Sequence, residues 1–124
     1  MKQVKKTIFK SRISLLSIYS LNLIVITRIV IDKDILGWSD THTEEILSQY
    51  QEIIKVNEDN TRLPPTSSDA KIASFCKDEI CDLFTADKKF YTDFFTDERI
   101  KRVQISRYTY WDVGQKPIFL IQIV

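Results

Sequence analysis

The hydrophobic pattern of the chain is uneven, and its longest mainly apolar run is residues 13–31, ISLLSIYSLNLIVITRIVI. As a helix, those 19 residues are long enough to cross about 30 Å of hydrocarbon. Lys2, Lys5, Lys6, Lys10 and Arg12 precede the run, and such a flank faces the cytoplasm under the positive-inside rule. The pattern therefore predicts a basic cytoplasmic arm over 1–12 and a single transmembrane signal anchor over 13–31. Ser14, Ser17 and Ser20 dilute the run, and Arg28 sits near its far end. Asn22 lies mid-span, where an amide would seek a partner on another helix. No alanine occurs before Ala70, so an A-x-A cleavage site is missing and an uncleaved anchor is favoured over a secretory signal. A competing reading rests on the β-branched stretch 23–31, which also suits a buried strand in a soluble core.

Beyond the run, residues 32–40 (DKDILGWSD) read as a linker, and 41–124 as a small domain outside the membrane. Thr41 and Glu44 have capping-box spacing. Ile46, Leu47, Tyr50, Ile53 and Ile54 then line one face of a helix over 41–56. The polar stretch 57–69 contains Pro64-Pro65 and reads as a loop. A second helix starts at Ser68 or Asp69 and runs to about Phe84, with Ile72, Ala73, Phe75, Cys76, Ile80 and Leu83 apolar. A third short helix is expected over 87–95. Residues 99–111 alternate, 112–117 contain Gly114, and 118–124 (IFLIQIV) are apolar on both faces. They predict a C-terminal antiparallel β-hairpin. The expected fold class is α+β: one transmembrane helix, two to three further helices, and that hairpin.

Charge sharpens the division. Residues 1–31 hold six basic residues and no acidic one, whereas residues 32–124 hold the other twelve and all 17 acidic ones, a formal charge of −5. A basic tail beside an apolar run points to a membrane surface; nucleic acid is disfavoured because the short arm lacks interleaved aromatics.

Catalytic signals are sparse. The single histidine, His42, has no second histidine at metal-ligand spacing and reads as a surface residue beside a helix start. Two glycines cannot make a phosphate-binding loop. Carboxylate pairs such as Glu44/Glu45 and Asp97/Glu98 read as solvated. No catalytic residue, metal or cofactor is expected. Cys76 and Cys81 lie five positions apart; on an intact helix they are too far apart to bridge, whereas a helix ending between them would allow a small disulfide ring.

The hairpin suggests a partner. No other strand is evident in 32–98, so its edges would be left open for pairing with another chain. Ile118, Phe119, Leu120 and Ile121 are the expected contact residues there, as Asn22 is within the membrane. The alternative is that a segment read as loop or helix supplies a further strand. The expected protein is a non-enzymatic accessory of the bacterial inner membrane, with its C-terminal domain in the periplasm. It would bind another membrane or periplasmic protein, or a second copy of itself. An immunity or inhibitor protein, and a soluble cytosolic protein with a basic arm, are the other readings.

Overall fold

The computed structural model describes residues 26–112 and 114–124. In chain order they form β1 (Arg28–Ile31), a 3₁₀ turn (Lys33–Ile35), α1 (Leu36–Thr41), α2 (Thr43–Leu47), β2 (Glu52–Lys55), α3 (Asp69–Glu79), β3 (Asp82–Thr85), α4 (Lys88–Asp93), β4 (Ile100–Asp112) and β5 (Gly114–Ile123). The five strands make one mixed sheet in the order β2-β1-β3-β5-β4. β1 is parallel to both β2 and β3; β5 runs antiparallel to β3, and β4 antiparallel to β5.

This corrects the expected architecture. The end of the apolar run is not part of a membrane helix: Arg28–Ile31 is an interior strand of the sheet, and Ile29, Val30 and Ile31 are fully buried. A parallel strand covered on both faces reads as an unbroken apolar run, which hydropathy alone cannot tell from the end of a span. Among the described residues, no helix is long and apolar enough to cross a membrane. Residues 13–25 of the expected span, Asn22 among them, lie outside the described residues. The expected linker is also structured, as the 3₁₀ turn and α1.

Side chains alternate across the strands and build two cores. On one face Val30, Ile54, Leu83 and Ile121 pack with Ile72 and Cys76 of α3 and with Phe90 of α4. On the other, Ile29, Ile31, Phe84 and Ile118 pack with Trp38 of α1 and Ile46 of α2.

The expected helix over 41–56 breaks after Leu47. The amides of Gln51 and Glu52 both donate to Thr27 O (2.9 and 3.2 Å) and open β2. Ile53 and Ile54, β-branched, favour that strand. The start of α3 is as read: the Ser68 side chain accepts from Lys71 N at 3.1 Å. Its end is not. Ile80 turns left-handed at φ 53°, and Cys81 N donates to Cys76 O at 2.9 Å, so residues 82–85 leave the helix as β3. Asp87 caps α4 through Lys89 N and Phe90 N. Both hairpin strands are present, with Asp112 paired to Gly114 and an irregularity between Ile105 and Thr109.

Ile118–Ile121 do not form an open edge. Leu83–Thr85 of β3 pair with them on one side and β4 on the other. Further strands come from segments read as helix, and among the described residues the sheet ends at β2 and β4.

Candidate functional site

β1 lies between β2 and β3, so the chain leaves the adjacent ends of β1 and β3 in opposite directions. Open sheets of this kind offer a crevice beyond the carboxyl ends of the strands at that switch in topology. The residues delivered there are Asp32-Lys33-Asp34 after β1, Thr85 and Asp87 at the end of β3, and Asp69 at the start of α3.

Asp32 is almost wholly buried, at 2% exposure. It continues the ladder, its amide donating to Phe84 O at 3.0 Å. The Thr85 hydroxyl donates to its Oδ2 at 2.7 Å, and the Lys33 amide to its Oδ1 at 2.8 Å. Burial raises the Asp32 pKa; the Thr85 bond, the Lys33 amide and the Lys33 charge work against that rise, and the Asp69 charge adds to it. Thr85 Oγ1 also accepts from Asp87 N at 3.0 Å, tying the two strand ends together. Lys33 Nζ is 3.7 Å from Asp69 Oδ1.

Asp34 is the exception among these acids. Its Oδ1 is buried with no hydrogen-bond partner among the described residues. Burial first, and then the charge of Asp32, push its carboxyl up to about 7; a backbone N–H of Ala86 opposes this, and Asp87 adds to it. Such a carboxylate is poised to accept a cation or a proton. Among the described residues, no three histidine, cysteine or acidic side chains stand ready as a metal-binding group. Magnesium, however, is commonly held by only one or two carboxylates, together with waters and substrate phosphates.

The hairpin rises beside this crevice. Thr85, the last residue of β3, pairs with Phe119, and β5 starts at Gly114. Residues 114–118 and their partners on β4 thus run on past the strand ends for roughly 15 Å at about 3.3 Å per residue. This arm carries Arg107, Tyr108, Tyr110 and Lys116. Tyr108 fastens it to α1, with its ring edge-on to Trp38 at 5.2 Å and to His42 at 5.4 Å. The Arg107 guanidinium lies 4.8 Å over the Tyr108 ring and 3.8 Å from Glu45. Beneath is a cavity of about 40 Å³ lined by Ile46, Tyr50, Phe84, Ile105, Tyr108 and Leu120.

The residues singled out from sequence are not brought together here. His42 stacks on Trp38 at 4.6 Å, with Nδ1 2.8 Å from Trp38 O, and is a packing residue. Cys76 and Cys81 are free and buried, although α3 does end between them; burial pushes the Cys81 thiol up to about 11 and the Cys76 thiol well above its usual value. The acidic site escaped the sequence reading because three separate segments supply it. Its one local signal is an apolar β-branched run followed at once by Asp-x-Asp.

No protein-family model matches the chain, and neither curated proteins nor solved structures gave a match.

Proposed function

We propose that the chain is a divalent-cation-dependent phosphodiester hydrolase, with Asp34 and Asp32 as the two cation ligands, the remaining positions being left to waters and substrate phosphate. The observation that carries this reading is Asp34: a desolvated carboxylate, one oxygen unpartnered, facing other carboxylates at the carboxyl ends of β1 and β3. Bringing a Mg²⁺ or Mn²⁺ ion there would offset the mutual repulsion of the acids. The ion would polarise a phosphoryl oxygen and make its bound water a better nucleophile. Thr85 would hold Asp32 in place. Arg107, Tyr110 and Lys116 on the adjacent arm suit an extended polyanion, since cations track a phosphate backbone and aromatic rings stack on unpaired bases. Single-stranded nucleic acid is therefore the substrate class.

A hydrolase is a different class from the non-enzymatic accessory protein expected from sequence, and it rests on Asp32 and Asp34, which that expectation did not single out. The test is cleavage of a fluorescently labelled single-stranded oligonucleotide by the full chain in Mn²⁺ or Mg²⁺. Activity should vanish with chelator and fall at least a hundredfold in Asp34→Asn, with circular dichroism unchanged. Cleavage that survives both would sink the proposal, and so would a failure of the wild type to bind either ion or the oligonucleotide.

A further inference from the structure

A second surface, on the opposite side of the hairpin from β5, is independent of the acidic crevice. β4 is the last strand of the sheet among the described residues. Val124 N donates to Arg99 O at 2.8 Å. Residues 99 and 124 are therefore a hydrogen-bonded pair, and antiparallel alternation repeats this at 101, 103 and 105. The backbone N–H and C=O groups of Arg102 and Gln104 consequently point outward, away from β5. They are a template for one more strand.

Charge decides what fits that template. Residues 99–111 contain Arg99, Lys101, Arg102 and Arg107 and no acidic residue, within a 32–124 segment whose net charge is −5. Lys101, Arg102, Gln104 and Arg107 are exposed. A second copy pairing two-fold about Gln104 would set Lys101 against Arg107, and like charges directly opposed across strands are unfavourable. The chain's own residues 1–25 carry five basic residues and no acidic one, so they are repelled as well. Val103 and Ile105 lie opposite Leu120 and Ile118 and are only half-buried, which leaves apolar surface beside the cations.

From this we infer that the β4 edge receives an extended acidic segment of another protein, one that alternates Asp or Glu with Val, Ile or Thr and adds as a sixth strand. Main-chain bonds to Arg102 and Gln104 give the affinity, and contacts to Arg99 and Lys101 set the specificity. Edge cations also discourage self-association; that role alone would leave no peptide binding.

The test uses the full chain and a ten-residue peptide alternating Glu and Val, followed by fluorescence anisotropy at 50 and 300 mM salt. A control peptide differs only by a central Val→Pro replacement, which removes a main-chain donor and keeps the charge. Binding by the alternating peptide should be at least tenfold tighter than by the control and weaker at high salt. It should fall at least tenfold in the Arg99→Glu/Lys101→Glu double variant. It should also slow hydrogen exchange at the amides of Arg102 and Gln104, a readout that needs no mutation. Equal binding of both peptides, absence of binding, or unchanged exchange at those two amides overturns the inference. So does displacement of the peptide by an oligonucleotide with no amide protection, which would make this edge part of the nucleic-acid surface. Loss of hydrolytic activity in Asp34→Asn should leave peptide binding unchanged, which separates the two proposals.

Discussion

Thr85 and Asp32 stand side by side at the ends of adjacent parallel strands, joined by a 2.7 Å hydrogen bond between two almost fully buried side chains. Removing the hydroxyl while keeping the shape, as in Thr85→Val, leaves a buried carboxylate oxygen short of a donor. Such a loss costs about 1–3 kcal/mol. Urea denaturation should show a midpoint shift of that size with an unchanged slope; a change within a few tenths of a kcal/mol would mean the bond does not hold the strand ends.

Asp34 makes stability depend on pH. Burial and the neighbouring Asp32 charge move its carboxyl from the ordinary 3.8 up to about 7 in the folded chain. Between those values the folded state holds a proton that the unfolded state has released, so this group's contribution falls as pH rises from about 4 to about 7. Asp32 is shifted in the same direction. In cation-free buffer the melting temperature should be higher at pH 5 than at pH 8, and Asp34→Asn should flatten that slope and raise the melting temperature at pH 8. Parallel profiles for the two proteins would refute the assignment.

Ile80 is a β-branched residue held left-handed at φ 53° and ψ 60°, and it is 56% exposed. Glycine suits the position after a helix end far better. Ile80→Gly should therefore stabilise the protein, by about 1 kcal/mol, because little packing is lost. Thermal or chemical denaturation decides the sign, and destabilisation would contradict the geometry.

Ile31 tests the placement of the apolar run. In a lipid-facing span, Ile31→Ala would be nearly silent. As a fully buried strand residue, it should cost about 2–5 kcal/mol on truncation. Equilibrium unfolding of the variant distinguishes the two.

Both thiols should alkylate without prior reduction once the chain is unfolded, and react slowly with a disulfide reagent while it is folded, because Cys76 and Cys81 are free, buried and shifted away from the thiolate. A mass two units low on non-reducing analysis would reveal a bridge instead.

What could be read from sequence was local chemistry. The Ser68 cap, the Asp87 start of a short helix and the two strands of the hairpin follow from side chains that act within a few residues. What could not be read was pairing at long range. Ile53-Ile54 and Leu83-Phe84 each sit at helical spacing from an earlier apolar residue, yet both are drawn into strands by the backbone of β1. The strand Arg28–Ile31 carries the same apolar signal as a membrane segment because it too is enclosed on every side. The acidic site inherits this difficulty: Asp32, Asp69 and Asp87 are neighbours only after three parallel strands have aligned.

The strand order also ranks the parts by how readily they open. β1 and β3, which carry the acids at their ends, are each bonded on both flanks, whereas β4 is held by β5 alone. Local opening begins where fewest bonds must break. The carboxylates are thus anchored to strands bonded on both flanks, while the outer strand of the arm beside them hangs from a ladder that can fray by itself. The acidic crevice thus keeps its geometry while the neighbouring arm loosens and re-forms, so the two would respond separately to anything that binds across both.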